Sequence, residues 1–215
     1  MVAGGSGRRF GQLKQFSPLG GRPVLDWAVA ACRAHSDGVV LVLPPAAVGA
    51  DASQHGADIV VAGGESRAAS VRCGLTAVPE EAEVVLVHDA ARPLTTPAVF
   101  EAVLGALTDV GVDGAVPGVP VHDTIKQVDT TQIITATLDR TTLVAVQTPQ
   151  GFRAPVLRRA HAAGGTDGAT DDAVLVEAAG GRVRVVPGDP GNLKITTPDD
   201  LAAAERRLAD QPGGR

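Results

Sequence analysis

Short runs of Val, Leu and Ile recur along the chain, at residues 38–43 (GVVLVL), 58–61 (DIVV), 84–87 (VVLV), 142–146 (TLVAV) and 183–186 (VRVV). Each is too short for a helix and reads as a buried strand. Helical patterns lie between them. Leu25, Ala28, Val29 and Cys32 share one face of PVLDWAVAACRAH, and Ser66 stands where an N-cap of SRAASVRCGLTAV belongs. Further helices are expected over about 97–110 and 154–163. The last follows Thr197 as N-cap, with Pro198 at the first helical position and Asp199 and Asp200 complementing the dipole. Alternation of this kind predicts the α/β class: a doubly wound, mostly parallel sheet covered by helices.

One stretch breaks the alternation. From Gly114 to Leu138 the chain reads as strand-like pieces without a helix, which predicts a projecting β-arm over about 114–141. No repeat, linker or low-complexity tract divides the sequence, so residues 1–215 are expected to form one domain. Only Met1 and Val2 precede the first glycine-rich loop, whereas a buried strand usually takes about five residues. The first strand therefore reads as shortened, or its start as assigned late, and apolar residues added ahead of it are expected to raise stability.

The polar residues follow the strands. GGSGRR follows the short first strand, GGESR follows DIVV, HDAARP follows VVLV, QTPQ follows LVAV and GDPGNLK follows VRVV. Ligands of open parallel sheets bind outside the carboxyl ends of the strands, so these five motifs should meet at one rim as an anion site. The opening loop is neither of two familiar phosphate-binding types. No GK dipeptide exists for a P-loop, and Phe10 stands where a dinucleotide fingerprint built on Gly5 and Gly7 needs glycine. What remains is a glycine loop that lets backbone amides approach phosphates, followed by Arg9 and Lys14 as neutralising charges.

Composition excludes several classes. A formal net charge of -5 argues against nucleic acid as a partner. The most apolar stretch is broken by Pro44 and Pro45, so neither a signal peptide nor a membrane span is expected, and a cytoplasmic location follows. Cys32 and Cys73, without CxxC spacing, are expected to be core thiols. Sixteen arginines stand against three lysines, and two of the three, Lys14 and Lys194, fall in rim motifs. An ammonium can enter among phosphate oxygens as a compact point charge, which suits that placement. His88 is expected to be structural, His35, His55 and His161 to lie on the surface, and Lys126 on the solvated arm.

The motifs GGSGRRF, LKQF, GGESRAASV, VHDAARP, DTIK, LDR, TPQGF, TDDA and GNLKITTPDDL, in that order, resemble the 2-C-methyl-D-erythritol 4-phosphate cytidylyltransferases. The resemblance implies a Rossmann-like sheet, a homodimer formed through the β-arm, and a reaction joining CTP to methylerythritol phosphate with Mg2+. It implies backbone contacts to CTP from Ala3, Gly4 and Gly5, and catalytic neutralisation by Arg9, Lys14 and Lys194. Gly63, Gly64, Arg67 and Ser70 would hold the cytosine end. Asp89 and Arg92 would border the ribose, the metal and the second substrate, with Asp89 as the metal ligand. Thr124, Arg140, Thr148 and Thr170 would hold methylerythritol phosphate, with Thr124 and Arg140 reaching the neighbouring subunit's site. Thr170 is equally a natural helix N-cap. Ala-Gly-Gly stands where Ala-Ala-Gly is usual, and His122 where the family often has arginine. A cytidylyltransferase for another polyol phosphate, such as ribitol 5-phosphate, is the alternative.

Overall fold

The structure is a computed structural model that describes residues 1–3, 13–49, 55–163 and 169–210. A small ribbon of β1 (Pro18–Leu19) and β2 (Arg22–Pro23) leads into helix α1 (Val24–Arg33). There follow β3 (Val40–Leu43), β4 (Ile59–Ala62), α2 (Arg67–Leu75), β5 (Val84–Val87), α3 (Pro97–Ala106), β6 (Gly114–Pro120), β7 (Lys126–Val128), β8 (Ile134–Thr137), β9 (Val144–Val146) and β10 (Gln150–Arg153). Helices α4 (Ala154–Ala162) and α5 (Asp172–Ala178), strand β11 (Val183–Pro187) and helix α6 (Pro198–Ala209) complete the chain.

The main sheet has the order β11-β6-β10-β5, with β9 on the far end of β6. Strand β11 runs parallel to β6, and β10 is antiparallel to both β6 and β5, so those two point the same way. Strands β3 and β4 form a parallel pair. Val2 links the two sheets through parallel bridges to Val42 and Asp89. The result is a mostly parallel α/β sheet. Among the described residues two strands run antiparallel to β6, β9 at its far end and β10 between β6 and β5; β10 was not visible in the hydrophobic pattern, because QGFR carries only Phe152 as a large apolar residue.

Two apolar layers cover the sheet. Val71, Val85, Val87, Val116, Phe152, Leu157 and Val176 pack beneath α2, α4 and α5, while Leu25, Val29, Leu41, Leu43 and Phe100 pack with α1 and α3. Phe152 is fully buried and lies where a Cβ on Gly114 would come within 2.5 Å, which makes glycine obligatory opposite it. The helix ends obey the local rules: Ser66 accepts from the Ala69 amide, and Thr197 and Asp200 form a reciprocal capping box at α6.

Several expectations need correction. Strands β4, β9 and β11 are exposed over much of their length, because each has a neighbour on one side only among the described residues. Helix α3 ends at Ala106. Gly114–Pro120, expected at the root of the arm, is instead a buried sheet strand with partners on both sides. The separate hairpin is β7 with β8, exposed along nearly all its residues. Cys32 is buried as expected, but Cys73 is only half-buried on α2.

Candidate active site

At the carboxyl ends of the strands, separate segments converge on a cavity of about 210 Å³. Its polar lining includes Arg67 from the start of α2, Asp89 and Arg92 after β5, Gln147 and Thr148 after β9, Thr170 and Asp171 before α5, and Lys194 after β11. Asp89 is the electrostatic centre. One carboxylate oxygen accepts from Arg67 Nε at 3.3 Å and the other from Lys194 Nζ at 2.6 Å. Burial alone would raise its pKa, but the Arg67 and Lys194 cations outweigh that and hold it at about 2.

Arg67 in turn donates to Asp172 at 2.7 Å, and Asp172, with no exposed surface, also meets His161 Nε2 at 2.9 Å. Burial works against the Arg67 charge, but Asp172 and Asp89 together keep its pKa above the ordinary value. The order along this chain of groups is His161, Asp172, Arg67, Asp89, Lys194. His161, expected on the surface, is thus 3% exposed inside the protein. Of the other two, His55 pairs with Asp26 at 2.7 Å and His35 stacks on Phe100.

A second network fixes the Asp89 backbone. His88 is completely buried, with Nε2 3.1 Å from the Arg92 carbonyl oxygen. A carbonyl only accepts, so Nε2 carries the proton and Nδ1 accepts from the Thr148 hydroxyl at 3.0 Å. That hydroxyl also accepts the Asp89 amide at 3.0 Å. Burial drives the His88 pKa down to about 4 and keeps the ring neutral, as this pattern requires. Asn192 ties the rear of the site: its amide donates to the Thr148 carbonyl at 2.9 Å, its carbonyl accepts from Arg92 at 2.6 Å, and its side-chain oxygen accepts from Thr95 at 2.8 Å.

The remaining candidates fall into place around this centre. Lys14 Nζ donates to the Ile195 carbonyl at 2.7 Å, which brings the opening segment against the one carrying Lys194. Gly4, Gly5 and Arg9 lie outside the described residues. Ala3 uses its amide to pair with Val42 at 2.8 Å, and its carbonyl accepts from Gln15. At Gly63 a Cβ would stand 2.8 Å from Ser70 Oγ, and at Gly64 one would stand 2.5 Å from Ala69 Cβ, so both glycines let α2 start close to β3. Ser70 Oγ donates to the Gly64 carbonyl at 3.3 Å and locks that turn. Arg67, from the same motif, directs its guanidinium to Asp89 and Asp172 instead of to this turn.

Thr170 lines the cavity and is exposed, but the cap of α5 is Asp171, which accepts from the Val174 amide. Thr124 and Arg140 are exposed on the arm segment and are not part of the cavity lining; Arg140 donates to the His122 carbonyl. Lys126 donates to Thr137 on the hairpin. Sequence reasoning passed over Gln147, Asp171, Asp172, His161 and Asn192. QTPQ, TDDA and GNLK had marked four of these as parts of motifs, but no pattern in α4 signals that His161 turns inward.

Among the described residues, no group of three or more His, Cys, Asp or Glu is placed to hold a metal, and no helix is long and apolar enough to cross a membrane. The family model described as 2-C-methyl-D-erythritol 4-phosphate cytidylyltransferase, IspD, matches residues 1–210. The chain is 49% identical to the 2-C-methyl-D-erythritol 4-phosphate cytidylyltransferase of Rhodococcus opacus, over 97% of this chain and 93% of that one. It is 48% identical to a bifunctional enzyme IspD/IspF of Nitratidesulfovibrio vulgaris, covering 94% of this chain but only 55% of the relative, so it spans about half the length of such two-function proteins. The solved 2-C-methyl-D-erythritol 4-phosphate cytidylyltransferase of Thermus thermophilus superposes with a TM-score of 0.81 at 36% identity, over 97% of this chain and 96% of that one.

Proposed function

Because the chain belongs to the 2-C-methyl-D-erythritol 4-phosphate cytidylyltransferase family, we propose that it transfers the cytidylyl group of CTP to 2-C-methyl-D-erythritol 4-phosphate and releases pyrophosphate. The observation that carries this reading is the convergence of Arg67, Asp89, Arg92 and Lys194, from separate segments, on one cavity at the carboxyl ends of the strands. Lys14 abuts the Lys194 segment from the opening of the chain.

The acceptor's phosphate is already an anionic nucleophile. An oxygen of it forms a bond to the α-phosphorus of CTP as the bond from that phosphorus to the pyrophosphate oxygen breaks. No proton has to be removed, so alignment and charge neutralisation carry the catalysis. Lys14, Lys194 and Arg9 supply the neutralising charge, and at an effective dielectric near 20 each unit charge about 4 Å from a phosphate oxygen contributes on the order of 4 kcal/mol. Ala3, Gly4, Gly5, Gly63, Gly64 and Ser70 shape the nucleotide side, and Arg92, Thr148 and Thr170 the acceptor side. Thr148 acts there through the Asp89 amide, since its hydroxyl is already engaged on both sides.

The donor set suits Mg2+, which takes one or two protein carboxylates and fills its shell with phosphate and water oxygens. Asp89 would hold it, as a hard carboxylate that stays ionised to about pH 2 and whose lysine partner is partly exposed. When bound, the ion would neutralise charge on the triphosphate. The exposed apolar residues of the hairpin region, Val128, Ile133, Ile134 and Leu138, favour burial against a second copy of the chain, with Thr124 and Arg140 completing the neighbour's site. Sedimentation of a purely monomeric species at micromolar concentration would refute the dimer. Free Cys32 and Cys73 suit a reducing, cytoplasmic location.

The test is pyrophosphate release from CTP with a panel of acceptors, methylerythritol phosphate and ribitol 5-phosphate among them, and with GTP in place of CTP. Release with CTP and methylerythritol phosphate alone is expected. Preference for ribitol 5-phosphate, or binding of CTP without release, would overturn the reading.

A further inference from the structure

Asp172 touches neither the cavity nor any residue assigned to substrate by sequence except one. It sits in the first turn of α5, has no exposed surface, and divides its two oxygens between His161 Nε2 at 2.9 Å and Arg67 Nη1 at 2.7 Å. Its own amide is held by Gln150 Oε1 at 3.3 Å. A buried carboxylate costs several kcal/mol of desolvation, and packing alone would not place one between α4, α5 and α2. Arg67 is the group that gains. Its stem leaves the first residue of α2, and its Nε must reach Asp89 Oδ1 across the site.

We propose that Asp172, anchored by His161, is a positioning residue of the transfer reaction: it holds the Arg67 guanidinium so that Asp89 keeps one oxygen on Arg67 and presents the other to Lys194. The proposal rests on the functional reading above. If Asp172 is neutralised, Arg67 loses the stronger of its two grips and is free to swing into the cavity. A mobile cation there still attracts phosphates, so binding survives. The Asp89 and Lys194 arrangement that has to meet the reacting phosphates does not survive, so the rate falls. Arg67 Nη2, buried and without an acceptor among the described residues, leaves the hold on the guanidinium to Asp172 and Asp89.

Asp172→Asn keeps the shape and removes the charge. In this variant kcat is expected to fall about 10- to 100-fold, the usual scale for an outer-sphere partner, with KM for both substrates within about threefold of wild type. The double variant with Arg67→Ala should then be no slower than Arg67→Ala alone, because Asp172 acts only through that guanidinium. The Nε–H resonance of Arg67, assigned by its absence in Arg67→Lys, should be resolved and slowly exchanging in the wild type and lost in Asp172→Asn. An unchanged kcat, a rise in KM matching the fall in kcat, multiplying penalties in the double variant, or an unchanged Arg67 resonance would each overturn the proposal. A wild-type protein that releases no pyrophosphate from CTP and methylerythritol phosphate would refute the functional reading instead, and the resonance would still decide whether Asp172 holds Arg67. Should Asp172→Asn not fold, His161→Leu removes one grip on the same carboxylate, and a several-fold fall in kcat with weakened Arg67 protection is the expected result.

Discussion

Replacing Lys194 with methionine keeps most of the stem and withdraws the charge, and two magnitudes decide the effect. The first is stability. Asp89 loses the partner at 2.6 Å, but Arg67 remains at 3.3 Å, so no isolated buried charge is left and the penalty of about 3 to 5 kcal/mol for breaking a buried pair does not apply. The lysine side chain is 44% exposed, which limits the pair to about 1 kcal/mol at most. In a protein of this size that lowers the melting temperature by about 2 to 4 °C. The second magnitude is the barrier. A preorganised charge facing phosphate oxygens whose charge shifts during transfer is worth about 2.7 to 4 kcal/mol, or roughly 10²- to 10³-fold in kcat. Lys194→Met should therefore lose far more rate than stability. Pyrophosphate release at saturating CTP and methylerythritol phosphate, beside urea unfolding of the same preparations, reads both. Turnover within about threefold of wild type, or a stability loss larger than the rise in barrier, would refute the reasoning.

Two further outcomes are expected. Thr148→Val strips partners from the Asp89 amide and from His88 Nδ1 in a buried site and should cost about 2 to 4 kcal/mol in urea unfolding, whereas Thr148→Ser should cost less than about 1; equal losses in the two variants would show that the hydroxyl is not what matters. His88 has a folded pKa of about 4 against an ordinary 6.5, so the unfolded chain takes up the proton first. Stability is then complete above about pH 6.5 and falls by up to about 3 kcal/mol as the pH drops to 4, a slope that His88→Asn should flatten; an identical slope in that variant would contradict the assignment.

Much of this site could be read from the sequence because the chemistry follows the topology. Alternating apolar runs and helical faces imply a parallel sheet, and a parallel sheet places every strand exit on one rim, so Arg67, Asp89, Thr148 and Lys194 were bound to face a common edge. Caps at Ser66 and Thr197 depend on residues three positions apart, and local pattern located them both. What pattern could not supply was any decision made between distant segments. Strand β10 exists because Phe152 fills the space that Gly114 leaves open, and a run with one apolar residue does not announce that pairing. The same limit placed Gly114–Pro120 in an arm, when parallel pairing with β11, 69 positions further on, makes it a core strand. His161 looked like a surface residue of an amphipathic helix until Asp172 drew it inward, and nothing in the GGESR motif signals that two carboxylates from different segments pair with the Arg67 guanidinium. Hydrophobic periodicity fixes which face of each element is buried. Which buried polar groups meet there depends on pairwise electrostatics over a few ångströms between segments far apart in the chain, and only the folded protein sets those distances.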